Sequence, residues 1–406
     1  MVEQVEEQYK VKAQDFTRRR GLPFSRLVVL LLQLTRKSLA LELQRFFGLF
    51  SPVKAVSKSA FCQARQKLKP AYLKMLAGQV CQQFYTDNDE RVKTWQGLRL
   101  LAVDSSVIDL PYTPALVDVY GTYSNQHPTK QVKGRISVLY DLLNNLVLDG
   151  IQQAHKTPER DLAYQHLAQA GAGDLVIYDR GYACHDLFIQ HVEQQTPFLA
   201  RLSLTYNTPV KAFLAAGLPE QQVLFPPPQK KEIAHQPPIP IRLIRVELDQ
   251  QVEVLVTSLL DEQKYPAANF AALYGQRWGV ETCFDVLKNV LMLENFSGYS
   301  QQALEQDFYS CLFLLNLKAL LEEELEEQLQ TRYGHRQHTY QINTAVALSL
   351  LKDQIGELFL QQEPQVILDK LRNIMLEHVE PVRKGRKYER KKKWYHVPKL
   401  KKNRKS

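Results

Sequence analysis

The sequence has little of what disulfide frameworks, zinc sites and membrane spans require. Its five cysteines are scattered and odd in number, and no two of them form a CxxC pair. This pattern indicates neither a disulfide framework nor a zinc knuckle, and it is typical of a reducing, intracellular setting. The longest apolar run, residues 27–32, is far too short to span a bilayer. Residues 1–10 are acidic and polar, unlike a signal peptide. We therefore expect a cytoplasmic protein with no membrane partner.

The net charge of +9 is concentrated at one end of the chain. Residues 383–406 contain thirteen Lys and Arg residues against Glu389 alone, a net of +12, so the remaining chain has a net charge of about −3. Tyr388, Trp394 and Tyr395 lie among these cations. Such a tail is typical of a flexible arm that binds nucleic acid phosphates and offers aromatic rings for stacking. A solubilising terminus explains the same composition.

Two buried strands are each predicted to end on an aspartate. Residues 98–103 are mostly apolar and precede Asp104, and residues 175–178 are apolar and precede Asp179. An aspartate just past the carboxyl end of a buried strand lies where open α/β sheets form their ligand crevice. The Asp179-Arg180-Gly181 segment is also a common turn, in which Gly181 supplies a positive φ. Each strand end taken alone is therefore ambiguous.

A third carboxylate lies on a helix predicted to begin near residue 267. At about 100° per residue, Tyr274, Arg277, Glu281 and Lys288 fall within an arc of roughly 60°. An apolar stripe adjoins them, formed by Val280, Cys283, Phe284, Leu287 and Leu291. A carboxylate between two cations is expected where a metal-bound phosphodiester binds. A solvated face with an ion pair between Arg277 and Glu281 explains the same residues.

The three carboxylates together favour a metal site over the interpretation as a solvated face. No set of His or Cys ligands lies near any of them in the sequence. Ligands that are only oxygen suit Mg²⁺ or Mn²⁺ and not zinc. Asp104, Asp179 and Glu281 are therefore a candidate magnesium site.

These residues resemble the DDE triad of RNase H-like nucleotidyl transferases. The spacing Tyr274-x2-Arg277-x3-Glu281-x6-Lys288 is similar to the YREK motif of insertion-sequence DDE transposases of the IS-four type. The segment Asp104-Ser105-Ser106 and the segment Tyr178-Asp179-Arg180-Gly181-Tyr182 also resemble that family. The resemblance covers about residues 98–318 and extends more loosely to both ends of the chain.

The resemblance implies cut-and-paste DNA transposition by phosphoryl transfer with two Mg²⁺ ions, for which Mn²⁺ can substitute. It implies that Asp104 bridges both ions and that Asp179 and Glu281 each hold one. Arg277 and Lys288 would hold phosphates beside the cleaved bond, and Tyr274 would contact that backbone. The implied partners are double-stranded DNA, as terminal inverted repeats and as target, and a second copy of the chain in a homodimeric synaptic complex on the nucleoid.

The expected fold class is α/β, with an RNase H-like mixed sheet and flanking helices. We expect a helical DNA-binding domain at residues 1–95 and the first part of the catalytic core at 96–202. A Pro-rich β insertion at 203–262 interrupts the core, which resumes at 263–330 with the acidic helix. A C-terminal helical region at 331–382 and the basic tail at 383–406 follow. Within the core, residues 136–142 and 146–151 are predicted to form a hairpin at Asn144-Asn145, with a helix at 159–169 and a strand at 196–202. Strands at 241–246 and 252–257 are predicted in the insertion.

The N-terminal region is predicted to contain helices at residues 25–35 and 38–47 and a third helix with Ser57 as its N-cap. Lys58, Arg65 and Gln66 would be exposed on this third helix, which resembles the reading helix of a helix-turn-helix domain. Ordinary helical packing explains the same pattern. The run Arg18-Arg19-Arg20 is either a phosphate clamp or a solvated turn.

The insertion departs from one pattern in the family. Some relatives that cut DNA through a hairpin intermediate stack a flipped base on a tryptophan in this insertion, but Trp95, Trp278 and Trp394 all lie outside it. Tyr206 and Phe225 are the aromatic residues considered in its place. Two other functions compete with transposition: a DNA nuclease of the same fold that does not join strands, and a domesticated DNA-binding protein without catalysis. The intact carboxylates argue against the second of these, and the basic tail argues against an unrelated metal-dependent hydrolase.

Overall fold

The computed structural model describes residues 7–17, 22–33, 38–49, 55–87, 90–124, 130–228, 236–248, 251–360 and 363–382. The run Arg18-Arg19-Arg20 and the basic tail, residues 383–406, lie outside these ranges. Both predictions on these segments therefore stay predictions.

The described N-terminal region is helical. A short 3₁₀ turn, Glu7–Tyr9, precedes helices α1 (Phe24–Gln33), α2 (Leu39–Gly48), α3 (Lys58–Arg65) and α4 (Ala71–Asp87). Ser57 caps α3 as predicted, because its side chain accepts a hydrogen bond from the backbone N–H of Ala60. The first two predicted helices agree with the structure to within two residues at each end that it describes. The third begins where predicted but ends at Arg65, whereas its sequence predicted a helix that includes Leu68 and stops before Pro70. The connection between α2 and α3 lies mostly outside the described residues.

A single mixed sheet forms the centre of the described chain. Its strands are β1 (Arg99–Leu110), β2 (Val132–Asp141), β3 (Leu146–Ala154), β4 (Asp174–Tyr178), β5 (Phe198–Leu202), β6 (Glu220–Phe225), β7 (Ile239–Leu248) and β8 (Gln251–Thr257). Their spatial order is β3-β2-β1-β4-β5-β8-β7-β6. Strands β1, β4 and β5 are parallel neighbours, whereas the other neighbouring pairs are antiparallel. The predicted mixed sheet is confirmed.

The predicted hairpin and insertion strands are present. β2 and β3 pair on either side of a turn in which Asn145 has a φ of 57°, a left-handed conformation that asparagine tolerates. β7 and β8 correspond to the strands predicted in the insertion, and β8 pairs directly with β5. The insertion strands therefore extend the edge of the core sheet.

Helices cover both faces of the sheet. Between the strands lie α5 (Pro114–Tyr120), α6 (Glu159–Leu167), α7 (His185–Glu193) and α8 (Thr208–Ala216). After β8 come α9 (Phe270–Gly275), α10 (Trp278–Asp285), a π-helical segment (Val286–Val290), α11 (Gln301–Glu324) and α12 (Glu326–Tyr333). The described chain then adds β9 (Tyr340–Ile342), α13 (Thr344–Leu360), α14 (Pro364–Glu377) and β10 (Val379–Pro381), and β9 pairs with β10. In the described residues, no helix is long and apolar enough to cross a membrane.

Two hydrophobic cores lie on opposite sides of β1, because alternate side chains of a strand point to opposite faces. Leu101 and Val103 pack with residues of α6 and α7, whereas Ala102 and Ile108 pack with residues of α10 and α11. The second core also contains the apolar faces of α1, α13 and α14. The N-terminal helices are therefore packed against the C-terminal ones. α11 lies so close to β3 that a Cβ atom on Gly150 would come within 2.3 Å of the Leu312 side chain.

Candidate active site

Asp104 lies in the interior of β1. The prediction that the strand ends at this residue is wrong, because antiparallel pairing with β2 continues to Leu110. Only the parallel pairing with β4 stops earlier, at Ala102. Asp104 is thus two residues beyond the last pair with β4, and Asp179 is the first residue after β4. Both aspartates therefore lie at the carboxyl edge of the parallel strands.

The segment that carries the other motif residues is not one regular helix. α9 ends at Gly275, a turn at Gln276 and Arg277 follows, and α10 begins at Trp278. After α10 the chain continues as the π-helical segment, which contains Lys288. The prediction of a single helix is therefore wrong. π-helical turns are frequent at functional sites because their i→i+5 hydrogen bonds shift the side chains that follow.

Arg277 joins two of the three carboxylates. Its Nη1 lies 3.4 Å from Oδ2 of Asp104, and its Nη2 donates to Oε1 of Glu281 at 2.7 Å. The Arg277 side chain is only 12% exposed. Asp104 and Glu281, which are far apart in the sequence, therefore face the same guanidinium group.

Asp179 is held by a different pair of donors. Its Oδ1 accepts hydrogen bonds from Nη2 of Arg201 at 2.9 Å and from the hydroxyl of Tyr274 at 3.1 Å. Arg201 also donates to Oε1 of Glu253 at 2.6 Å, and its guanidinium lies over the Tyr274 ring. Tyr274 therefore reaches Asp179 as well as sharing the motif with Arg277 and Glu281.

The two aspartates have opposite electrostatic environments. Burial raises the pKa of Asp104 to about 6, because the hydrogen bond from Ser105 N–H and the charge of Arg277 only partly offset the loss of hydration. Partial burial also disfavours ionisation of Asp179. The N–H of Arg180 and the charges of Arg201 and Arg277 outweigh it, so the pKa of Asp179 lies below its usual value. Of the two aspartates, Asp104 therefore gains more from an added cation.

Lys288 lies against β1 beyond Asp104. Its Nζ donates to Oγ of Ser106 at 2.6 Å and to the carbonyl of Val107 at 2.7 Å. Burial lowers the pKa of the Lys288 ammonium group. Lys288 is therefore hydrogen-bonded to the strand that carries Asp104. Its position around a helix could not predict this contact.

The carboxylates match a divalent metal in donor type, because hard oxygen ligands suit Mg²⁺. Within the described ranges, however, no group of three or more His, Cys, Asp or Glu side chains is arranged to hold a metal ion. Arg277 contacts Asp104 and Glu281 in the way that a cation between them would. In this conformation Asp104, Asp179 and Glu281 are therefore not arranged to hold a metal ion.

Arg65 is not exposed, so the prediction of an exposed side chain for this candidate DNA-reading residue is wrong. It is 4% exposed and buried against α11. Its guanidinium donates to Gln306 Oε1 at 2.9 Å, to Ser297 Oγ at 2.8 Å and to the carbonyl of Ala303 at 3.1 Å, and it lies 3.3 Å from Asp307. The alternative of ordinary helical packing is correct for this residue, because α11 supplies acceptors that the N-terminal sequence does not reveal.

Lys58 and Gln66 are exposed, as predicted. Lys58 is the first residue of α3, whereas Gln66 is its C-cap. The two side chains therefore lie at opposite ends of a short helix. The exposure of Lys58 and Gln66 does not test whether either residue contacts DNA.

The aromatic residues of the insertion differ in accessibility. Phe225 is fully buried, so its ring is not available for stacking on a flipped base. Tyr206 is partly buried and stacks on Phe225, with ring centroids 5.5 Å apart. In this conformation Phe225 therefore cannot take the place of the tryptophan on which some relatives stack a flipped base.

A buried polar chain lies behind Asp104 and was not predicted from the sequence. Ser137 Oγ donates to the Asp104 carbonyl at 3.0 Å, and His166 Nε2 lies 3.0 Å from Ser137 Oγ. His166 Nδ1 lies 2.8 Å from Asp149, which also binds Lys74 Nζ at 2.7 Å. Ser137 and His166 are fully buried. No motif links these residues, because they come from separate strands and helices.

The roles of Arg201 and Glu253 beside Asp179 were also not predicted from the sequence. Each is a single charged residue in a predicted β-strand, and such residues usually face solvent. The one available signal was the position of Arg201 in the strand next to the one that ends at Asp179. Adjacent parallel strands bring their carboxyl ends together, and this alone was too general to single out Arg201.

The sequence matches the model of one protein family and is similar to individual known proteins. The family described as "Transposase DDE domain" matches residues 95–317, which include all three carboxylates. The chain is 24% identical over 271 residues to the "Transposase InsG for insertion sequence element IS4" of Escherichia coli strain K12, a match that spans 64% of this chain and 60% of that protein. The chain thus spans less than two thirds of this relative's length. Among solved structures, a cryo-EM structure of the piggyBac transposase synaptic complex with hairpin DNA aligns at a TM-score of 0.42 with 10% identity, over 89% of this chain and 73% of that one.

The family match spans more than half of the chain and coincides with the sheet, the acidic helix and the first part of α11. DDE transposases generally use a divalent metal, in agreement with the oxygen-only donor set. The resemblance found in the YREK spacing is therefore confirmed, and the chain belongs to the family of DDE transposases.

Proposed function

We propose that the protein is the transposase of an insertion sequence, which cuts DNA at the ends of its element and joins them to a target. The observation that carries this proposal is the contact of Arg277 with both Asp104 and Glu281. It joins two carboxylates of the motif across the sheet and the acidic helix. Asp179 accepts a hydrogen bond from Tyr274 of the same motif, and the charge of Arg277 contributes to lowering the pKa of Asp179.

We infer that Asp104, Asp179 and Glu281 hold two Mg²⁺ ions, for which Mn²⁺ can substitute. When bound, the ions would activate a water or a DNA 3′-hydroxyl and stabilise the leaving oxygen. Asp104 is the shared ligand that the resemblance implies, and it is the least exposed of the three carboxylates, at 19% against 33% for Glu281 and 36% for Asp179. These roles explain why a carboxylate with a raised pKa is kept at the edge of the parallel strands.

Arg277 and Lys288 are proposed to bind phosphates beside the cleaved bond. A guanidinium released from Asp104 and Glu281 retains its planar set of donors, which matches a phosphate in a bidentate arrangement. Lys288 is bonded to Ser106 and Val107, so it would contribute a fixed positive charge. Tyr274 would orient the Asp179 carboxylate and contact the DNA backbone.

Double-stranded DNA is the proposed partner, both as the element's terminal inverted repeats and as target, and the active form is proposed to be a homodimer. Lys58 and Gln66 remain candidates for DNA contacts because both are exposed. Neither depends on the buried position of Arg65. The proposed cellular site is the cytoplasm, on the nucleoid.

The proposal is tested with duplexes that carry the DNA flanking the reading frame. In the presence of Mg²⁺, the purified protein should release 3′-hydroxyl ends at the element's borders and join them to a supercoiled target plasmid. Cleavage without joining would identify a nuclease of the same fold. Specific binding without cleavage in Mg²⁺ or Mn²⁺ would identify a DNA-binding protein, and either result would overturn the proposed transposition.

A further inference from the structure

The parallel pairing of β1 with β4 ends before it reaches the two aspartates of the candidate site. Ala102 with Ile177 is the last pair that these two described strands form. Continued by two residues, the same register would set Asp104 opposite Asp179. Beyond Ala102, β1 stays paired with β2, whereas the chain after β4 enters a turn. The hydrogen bonds of the sheet therefore do not fix how far apart these two carboxylates lie.

A side-chain hydrogen bond joins the two segments where their backbone pairing has ended. Oγ of Ser105, the residue after Asp104, lies 3.0 Å from the hydroxyl oxygen of Tyr182, which is three residues after Asp179. Each partner is also bonded to the aspartate of its own segment. The N–H of Ser105 donates to Oδ1 of Asp104 at 2.8 Å, and the N–H of Tyr182 donates to the Asp179 carbonyl at 3.1 Å. The bond between the two hydroxyl groups therefore connects the segments that carry the two carboxylates.

The core of the protein holds the Tyr182 ring in place. Tyr182 is 1% exposed and belongs to the hydrophobic core that contains Leu101, Val103 and Leu187. Burial raises the pKa of its hydroxyl above the usual value, so the hydroxyl is protonated and can donate. A buried hydroxyl costs free energy unless it is hydrogen-bonded, and Ser105 is its hydrogen-bond partner. The position of the Tyr182 hydroxyl is therefore set by the core and not by solvent.

Arg135 of β2 also holds the Ser105 side chain. Its Nη1 donates to Ser105 Oγ at 3.4 Å and forms an ion pair with Glu159, the first residue of α6. Its Nη2 donates to the His155 carbonyl at 3.3 Å, and the arginine side chain is only 12% exposed. A serine oxygen has two acceptor sites, so Ser105 can accept from Arg135 and bond to Tyr182 at the same time. The Ser105 hydroxyl is therefore fixed by β2 as well as by the segment after β4.

We propose that the hydrogen bond between Ser105 and Tyr182 sets the separation of Asp104 and Asp179, and so determines how tightly these two carboxylates bind a divalent metal in common. This inference rests on the proposed function for the identity of the metal ligands. Ser105 and Tyr182 are positioning residues, because each acts through the aspartate of its own segment. Residues that orient metal ligands typically change metal affinity about 10- to 100-fold when they are substituted. A purely structural role would change the stability of the fold and leave metal affinity unaltered.

The test measures Mn²⁺ binding to the full-length protein by titration calorimetry, and the relevant ion is the one whose binding is lost in Asp104→Asn. Ser105→Ala and Tyr182→Phe should each weaken its binding about tenfold. The double variant should bind no more weakly than either single variant, because both substitutions remove the same bond. Ser105→Thr keeps the hydroxyl and should bind Mn²⁺ as the wild type does. Tyr178→Phe is the matched control, since it removes a buried tyrosine hydroxyl of the same core that bonds to His191 at 2.9 Å, and it should keep the wild-type affinity.

Wild-type affinity in Ser105→Ala or in Tyr182→Phe overturns the proposal, and so does an equal loss of affinity in Tyr178→Phe. A double variant whose loss is the product of the two single losses shows that the residues act independently, and this result also overturns it. A wild-type protein that binds Mn²⁺ at Asp104 but joins no DNA ends would overturn transposition and leave this inference standing. A protein that joins DNA ends, with variants that bind Mn²⁺ as tightly as the wild type, would overturn this inference alone.

Discussion

The acidic helix and the third N-terminal helix looked alike in the sequence, but their arginines have different surroundings. Arg277 and Arg65 each lie at one end of a short helix beside apolar residues. Arg277 contacts two carboxylates at the open edge of the sheet, whereas Arg65 is enclosed by amide, hydroxyl, carbonyl and carboxylate oxygens of α11 and the loop before it. The difference is made by the partner segment. A polar helix face becomes a site only where the opposing surface leaves room for a ligand.

The largest effects are expected from the carboxylates. Asp104→Asn, Asp179→Asn and Glu281→Gln should each reduce Mg²⁺-dependent cleavage at least about 10³-fold, which corresponds to about 4 kcal/mol in the activation barrier. DNA binding should persist, because phosphate contacts supply it. The measurement is nicking of a labelled end duplex. Asp109→Asn is the matched control, since Asp109 lies on β1 but is bonded away from the three carboxylates. Metal-dependent nicking that survives in Asp104→Asn would rule out its role as a ligand.

For Arg65 the comparison predicts an effect on the stability of the fold and not on catalysis. Arg65→Ala should destabilise the fold by about 3 kcal/mol, because it leaves Asp307 buried without its cation. Gln66→Ala, at an exposed position, should change stability by less than about 0.5 kcal/mol. Denaturant unfolding measures both. If Arg65→Ala keeps wild-type stability and loses preference for the element's ends, Arg65 reads DNA and the packing interpretation is wrong.

The raised pKa of Asp104 should make the stability of the metal-free protein depend on pH. An unfolded aspartate ionises near pH 3.8 and Asp104 near pH 6, so the unfolded state binds fewer protons between these values. The stability of the metal-free protein therefore falls as pH rises through this window. Asp104→Asn removes this penalty and should be more stable than wild type by on the order of 2 kcal/mol at pH 7.5, with little difference at pH 3.5. Thermal unfolding without metal provides the test, and an Asp104→Asn protein less stable than wild type at pH 7.5 would contradict it.

The smallest effect is expected from the polar chain behind Asp104. Ser137→Ala removes a hydroxyl that donates to the Asp104 carbonyl and should lower stability by about 1 kcal/mol. It should also raise the Mg²⁺ concentration needed for half-maximal cleavage several-fold, because Asp104 loses part of its support. Ser310→Ala is the control, since this buried hydroxyl also donates to a backbone carbonyl, that of Gln306. An equal shift in the Mg²⁺ dependence of both variants would show that Ser137 has only a structural role.

The sequence was sufficient to predict the candidate site residues whose types and spacing are themselves the signal. Asp104, Asp179, Arg277 and Glu281 were found in this way. The structure brings Arg277 into contact with Asp104 and Glu281, whereas Asp179 is held by Arg201 and Tyr274. The strands of the core and two strands of the insertion, β7 and β8, were also predictable from apolar runs and turn residues, whereas β6 was not predicted. Periodicity reports where a side chain points around its own element, and this was enough for these features.

The sequence was insufficient where pairing with a distant segment decides the outcome. β1 continues past Asp104 because β2 pairs with it there, although β4 has ended. Arg65 is buried because α11 faces it, and Arg201 reaches Asp179 because β5 lies next to β4. None of these partners is adjacent in sequence. The break at Gln276 and Arg277 was also not predictable, since no Pro marks it.

The shared core of the first and last helices has a consequence for the order of folding. α1 buries most of its side chains against residues of α11 and α13, which are synthesised some three hundred residues later. The centre of the sheet likewise requires β5 to pair with β8, after two further strands have been made. Contacts of such long range slow folding, because the chain between them must be ordered first. The nascent N-terminal helices therefore expose apolar surface until nearly the whole chain has left the ribosome, and a chain truncated before α11 lacks the partner of Arg65.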